Sequence, residues 1–275
     1  MSFLDGSDIE IIHTNISTGN IRHALFDFDG TVSLIREGWQ GVMIPMMVEI
    51  LMETPQHESK EALEALVRNY VGRLTGKQTI YQMIQLCEEI RLRGGEPLPA
   101  LDYKWQYLER LNHHIKSRIQ GLQSGVLSPQ EMMVPGALAM LQNLSARGVT
   151  CYLASGTDEM YVLQEAASLG ITAYFAGIYG AQDDYVNYSK KMVIDRILKE
   201  NELHGHELVA FGDGYVEIED AAAAGGITVG VATNEAQRQG IDAWKRQRLI
   251  DAGADIIIPD FCPHQRLIAF LFAEE

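Results

Sequence analysis

RHALFDFDGTVSL, residues 22–34, is the stretch on which the reading of this chain turns. The apolar run Ala24-Leu25-Phe26 stops at two carboxylates, Asp27 and Asp29, set one residue apart. In extended backbone the side chains at i and i+2 point to the same side, so two negative charges are aimed at one place. Their repulsion is unfavourable unless something positive lies between or beyond them. The stretch reads as a strand that ends in a demand for a cation.

Downstream the chain has the texture of a parallel sheet. Short β-rich runs, VTCYLA (149–154), AYFAGIY (173–179), ELVAF (207–211), ITVGVA (227–232) and ADIIIP (254–259), alternate with glycine-containing turns and helical stretches. The helices are expected over 158–169, 190–200, 217–224 and around 241–251, with Val193, Ile194, Ile197 and Leu198 as one core stripe. Between residue 37 and about 127 the texture changes to four helix-period segments with no strand between them: 38–53, 58–74, 79–94 and 103–122. The expected architecture is α/β: a doubly wound, Rossmann-like parallel sheet formed by residues 1–36 and 128–275, with an inserted helical cap over 37–127. Before the first strand, IEIIHTN and the turn-like STGN are expected to form a hairpin with IRHALF.

Composition narrows the partners. A formal net charge of −15 leaves no extended basic surface, which argues against nucleic acid and anionic membranes. Cys87, Cys151 and Cys262 are far apart and form no CxxC pair, so neither a disulfide framework nor a zinc site is indicated. The longest apolar stretch, 41–52, is too short to span a bilayer and carries Glu49, and residues 1–10 have no signal-peptide pattern. The expectation is a soluble cytoplasmic protein.

In an open parallel sheet, ligands bind beyond the carboxyl ends of the strands. The first strand delivers Asp27, Asp29, Gly30 and Thr31 there; the run at 149–154 delivers Ser155, Gly156 and Thr157. After the loop GAQDDYVN come Tyr188, Ser189, Lys190 and Lys191, and the run at 207–211 delivers Asp213, Gly214 and then Glu217. Hard carboxylate oxygens from Asp27 and Asp213 suit Mg²⁺. With its charge shielded, Asp27 can attack phosphorus as a carboxylate nucleophile, and Asp29 can protonate the leaving oxygen and later take a proton from water. Ser155, backbone N–H groups at a following helix N-terminus and a lysine would hold the equatorial oxygens. Taken singly, DGT is an ordinary turn, SGTD a helix cap, GDG a turn and Lys190 a solvated charge. Four such coincidences at successive strand ends favour the chemical reading.

DFDGT, LASGT, SKK and GDGYVEIEDAAAAG, in that order and with a helical insertion after the first, resemble the four motifs of the haloacid dehalogenase superfamily of phosphohydrolases. The position of the insertion resembles the branch with phosphoglycolate phosphatase-like enzymes and β-phosphoglucomutase. The resemblance implies Asp27 as nucleophile and metal ligand, Asp29 as acid/base and ligand through its backbone, Ser155, Gly156 and a lysine as phosphate binders, and Asp213 as a metal ligand. Two positions depart from the family pattern. The second acid of the last motif is Glu217 rather than Asp, which suggests a role through water, and the lysine lacks its following proline, leaving Lys190 and Lys191 both available. Lys190 is preferred because it falls on the stripe with Val193 and Ile194.

The implied activity is Mg²⁺-dependent hydrolysis of a small phosphorylated metabolite, a sugar or polyol phosphate, through an aspartyl-phosphate. A phosphomutase of the β-phosphoglucomutase type is the alternative, and a phospho-acceptor or structural protein the non-enzymatic one. Retention of Asp29 argues against dehalogenase and phosphonatase chemistry, which need no proton donor there. Candidate specificity residues are Arg36, read with Trp39 as facing the site where the chain enters the cap, and Lys77 and Gln78 in the polar turn RLTGKQT, both read as surface positions.

Overall fold

A computed structural model describes residues 2–183 and 188–274; the last four residues of the loop GAQDDYVN lie outside the described residues. In chain order the elements are β1 (Ser2–Phe3), β2 (Glu10–Ile11), β3 (His23–Phe26), α1 (Gln40–Met52), α2 (Lys60–Leu74), α3 (Thr79–Leu92) and α4 (Ala100–Ser124). There follow α5 (Ala137–Ala146), β4 (Thr150–Asp158), α6 (Glu159–Ser168), β5 (Phe175–Ala181), α7 (Lys190–Glu200), β6 (Leu208–Gly212), α8 (Tyr215–Ala223), β7 (Ile227–Val231), α9 (Ala243–Asp251), β8 (Ile256–Ile258) and α10 (His264–Leu271). No helix among the described residues is long and apolar enough to cross a membrane.

The strands form one sheet in the order β1-β2-β8-β7-β6-β3-β4-β5, parallel from β8 to β5 and antiparallel at β1 and β2. Counted from β3, the parallel part has the doubly wound order 3-2-1-4-5-6. The direction of winding therefore reverses between β3 and β6. Loops from neighbouring strands leave in opposite directions at that point and open a crevice above it. Alternation along β3 puts Leu25 with Ile194, Ile197 and Ala221 in the core layer under α7 and α8. Phe26 faces the other way and stacks on Phe211, with ring centroids 4.5 Å apart.

The expected hairpin between the N-terminal segment and β3 does not form. β2 pairs instead with β8 at the far side of the sheet, Glu10 opposite Ile257. The buried Glu10 carboxylate accepts hydrogen bonds from Arg246 of α9 at 2.6–3.0 Å, which ties that edge in place.

The chain divides into two compact units, Met1–Glu37 with Gly121–Glu275, and Gly38–Gln120. The second division lies within α4, which runs unbroken to Ser124. In the larger unit the two connections to the insertion lie side by side. Leu34 N–H donates to Met132 O at 2.9 Å and Val134 N–H to Val32 O at 3.0 Å, with Ser33 and Met133 as an antiparallel pair. The helical unit has its own core, with Met43, Met47, Leu63, Val67, Tyr70, Met83, Leu86 and Leu111 buried.

Candidate active site

β3 and β6 stay paired one step beyond the end of β3, where Asp27 N–H donates to Phe211 O at 2.9 Å. Phe28 is fully buried, so the carboxylates on either side of it turn to the opposite face, above the switch point. Gly30 then takes a left-handed φ of +76°. A Cβ there would overlap the Asp213 carboxylate and come within 3.0 Å of Glu235 Oε1. Glycine is required for both reasons. Gly30→Ala is expected to cost about 1–2 kcal/mol from the backbone alone and to lower turnover more sharply than stability by displacing Asp213. Urea denaturation beside a rate assay checks this; unaltered rates in a destabilised protein would separate Gly30 from the site.

Asp27 and Lys190 form a buried pair, Lys190 Nζ lying 2.7 Å from Asp27 Oδ1 and 2.8 Å from Glu217 Oε2. Ser189 caps α7 by accepting Met192 N–H at 3.1 Å, which places Lys190 at the first helical position. Its side chain is 4% exposed, whereas that of Lys191 is 59% exposed and paired with Asp195, so Lys190 is the lysine that faces the carboxylates. Burial alone would lower the Lys190 ammonium, but Asp27 and Glu217 together hold it well above its usual range. Burial pushes the Asp27 carboxyl well up, against the opposing pull of Lys190.

Glu217 is more constrained than the sequence reading assumes. Its Oε1 accepts the Gly214 N–H at 2.7 Å and its Oε2 accepts from Lys190. Even so, one oxygen each from Asp27, Asp213 and Glu217 lie within 4.8 Å of one another. The set is all carboxylate oxygen, with Asp29 on the same loop, and this donor chemistry fits a hard divalent cation such as Mg²⁺.

Asp29 Oδ2 accepts from Thr157 Oγ1 at 2.8 Å, with Ser155 Oγ more distant at 3.5 Å. Burial raises the Asp29 carboxyl, with Arg36 and Thr157 pulling it back without cancelling the shift. The Ser155–Thr157 segment differs from expectation. β4 continues to Asp158 across an irregularity in its pairing with β5, and α6 begins only at Glu159. The N–H of Thr157 donates to Ser155 Oγ at 3.0 Å, so Gly156 and Thr157 belong to a strand end rather than to a helix N-terminus. Tyr188 secures the segment by donating its hydroxyl to Ser155 O at 3.1 Å.

Arg36 is buried beside the Asp29 carboxylate. Its guanidinium donates to Glu165 of α6 at 2.7–3.2 Å, lies over the Tyr161 ring, and has Nε 3.9 Å from Asp29 Oδ1. Lys77 and Gln78 belong to the helical unit. Lys77 is exposed, with its ammonium 5.9 Å from the Tyr81 ring centroid, whereas Gln78, just before α3, is buried, in contrast to its reading as a surface residue.

The site also holds residues that the motifs do not announce. Lys245 Nζ lies 2.6 Å from Asp213 Oδ2 and 2.5 Å from Glu235 Oε1. In sequence Lys245 sits in WKRQR, the pattern of a solvated helix face, and Glu235 in the polar loop TNEAQRQ. Neither carries a periodicity that would single it out. Thr157, named in the sequence only as a neighbour of Ser155, provides the shorter of the two hydroxyl contacts to Asp29.

Known proteins share this fold. Among solved structures, a predicted phosphoglycolate phosphatase from Haemophilus somnus 129PT is 16% identical, with a TM-score of 0.60 over 90% of this chain and 98% of the other. A putative β-phosphoglucomutase from Thermotoga maritima is 17% identical, with a TM-score of 0.53 over 91% and 98%. CbbY from Rhodobacter sphaeroides, in complex with xylulose-(1,5)bisphosphate, is 18% identical, with a TM-score of 0.55 over 88% and 95%. At these identities the likeness is one of fold. No curated protein sequence matches. The sequence model of the haloacid dehalogenase-like hydrolases matches residues 21–225, three quarters of the chain and a span that holds Asp27, Asp29, Ser155, Lys190, Asp213 and Glu217. The chain belongs to the haloacid dehalogenase-like hydrolase family.

Proposed function

We propose that the protein is a Mg²⁺-dependent phosphatase that hydrolyses a small phosphorylated metabolite, of the sugar or polyol phosphate class, through an aspartyl-phosphate on Asp27. The observation that carries this reading is the buried Asp27 carboxylate at the switch point, with an ammonium at 2.7 Å and two further acids grouped beside it. A Mg²⁺ ion held by Asp27, Asp213 and the Asp29 backbone, with Glu217 behind them, would neutralise charge on the phosphate. An Asp27 oxygen attacks phosphorus and the bond from phosphorus to the ester oxygen breaks, while Asp29 gives that oxygen its proton. Asp29 then takes a proton from water. The water oxygen attacks phosphorus, inorganic phosphate leaves and the Asp27 carboxylate is restored. Lys190 and the Ser155 hydroxyl hold the phosphoryl oxygens. Burial raises the Asp29 carboxyl, which makes it a better carrier of a proton than an exposed carboxylate.

Residues 37–127 serve in this reading as the cap that selects substrate, with Lys77 and Gln78 as contacts for its non-reacting end. Arg36 supports the Asp29 loop through Glu165. The sugar-phosphate class is favoured by the bisphosphate bound to the fold neighbour CbbY.

The test is release of inorganic phosphate from a panel of sugar, polyol and aryl phosphates with Mg²⁺ and with chelator. Turnover that chelator abolishes supports the reading; turnover unaffected by chelator removes the metal, and faster isomerisation than phosphate release makes the enzyme a mutase. Within the panel, Asp29→Asn is expected to slow alkyl phosphates about 10²- to 10⁴-fold, and p-nitrophenyl phosphate less, because its leaving group needs little protonation. Equal losses on both ester types would deny Asp29 the role of leaving-group acid.

A further inference from the structure

Lys190 has a place in the proposed chemistry; the second ammonium of the site, Lys245, does not. Its Nζ bridges Asp213 Oδ2 at 2.6 Å and Glu235 Oε1 at 2.5 Å, and its side chain is only 13% exposed. The arrangement is built from two directions. Asp242 caps α9 by accepting the Lys245 N–H at 2.9 Å, which sets the lysine on the first turn. Glu235 lies on the connection between β7 and α9, closed by Asp242 N–H to Ala232 O at 2.8 Å and Asn234 N–H to Gly240 O at 3.1 Å. Arg238 pins that connection to the Gln130 and Met133 carbonyls.

We infer that Lys245 is a fixed counter-ion of the metal-binding carboxylates, a positioning residue that takes up Asp213 and Glu235 and holds the affinity for Mg²⁺ down. The inference rests on the reading of Asp213 as a metal ligand. An ammonium in contact with a ligand carboxylate subtracts from the attraction that carboxylate offers a divalent ion. The subtraction is larger in this poorly exposed setting than in water. Lys245 also restrains the Asp213 rotamer, and losing that restraint would act in the opposite direction. The charge effect prevails, because Asp213 is also hemmed in by the Gly30 backbone, where not even a methyl group would fit. Glu235, at the outer end of the bridge, adds a negative charge that works in favour of a cation.

The expected signature is a pair of opposite shifts. Calorimetric titration of the full-length protein with MgCl₂ at fixed ionic strength should give about tenfold tighter binding for Lys245→Met and several-fold weaker binding for Glu235→Gln, with Lys245→Arg within about twofold of wild type. In chelator, Lys245→Met should melt at a lower temperature than wild type, since Asp213 and Glu235 then face each other without the lysine. Unchanged or weaker Mg²⁺ binding by Lys245→Met overturns the inference. If that variant does not fold, unchanged or tighter binding by Glu235→Gln overturns it alone. A wild-type chain that takes up no Mg²⁺ overturns the metal reading and this inference together. A wild type that binds while Lys245→Met matches it overturns this inference and leaves the metal reading standing.

Discussion

Asp27→Asn is expected to eliminate measurable phosphate release, a fall of at least about 10³-fold in kcat, while leaving the fold intact. The amide matches the carboxylate in shape, and its oxygen can still accept from Lys190, which keeps Glu217 as a charged partner at 2.8 Å. What disappears is the anionic oxygen that would bond to phosphorus. Circular dichroism and melting temperature should stay close to wild type, and acid quenching in the first turnover should recover no labelled phosphoprotein, in contrast to wild type. Near-normal turnover, or a phosphoprotein still formed by the variant, would move the nucleophile elsewhere.

The second large effect is expected at Lys190, where chemistry and stability share one group. Lys190→Met keeps most of the side-chain volume but leaves two buried carboxylates, Asp27 and Glu217, facing each other without the ammonium at 2.7 and 2.8 Å. Breaking a buried ion pair from one side costs about 3–5 kcal/mol, and losing a cation that stabilises transferring phosphoryl charge costs about 10²–10³ in kcat. A pH signature accompanies both. Lys190 opposes the upward push of burial on the Asp27 carboxyl. Without it the carboxyl titrates higher still, and since the anion is the reactive form, the acid limb of kcat/KM should move to higher pH. Urea denaturation and a pH profile of the variant check the two parts. A destabilised variant with an unmoved acid limb would make Lys190 a structural ion only.

The parts of this site legible in sequence share one property: each follows a short apolar run. Asp27, Ser155 and Asp213 stand at strand ends, and the winding of the sheet brings such ends together whatever lies between them. Lys190 was separable from Lys191 because the helix period carries the core stripe back to the first turn. The rest depended on distances that no local pattern encodes. Lys245 and Glu165 are charged residues on amphipathic helices, and only tertiary approach turns them from solvated groups into partners of Asp213 and Arg36. The N-terminal segment shows the same limit for strands. Alternation marks Glu10–Ile11 as extended, but the choice of β8 over β3 as its neighbour is made in the folded sheet, where Arg246 meets Glu10. The helix expected from Asp158 starts at Glu159 with Asp158 as its cap, but SGT suits a turn or a strand end, and the pairing of β4 with β5 makes it the latter.

The short ribbon joining Val32–Leu34 to Met132–Val134 makes the insertion a detour with a closed base. Within the larger unit the chain departs and returns at adjacent points. Closure entropy grows only with the logarithm of loop length, about 0.6 kcal/mol per doubling, so the ribbon works as a socket in which helical units of quite different size could be exchanged at little cost to the core. Asp29 and Arg36 stand on either side of the ribbon's first strand, so the loop that carries the acids and the start of the detour are fixed by one short ladder.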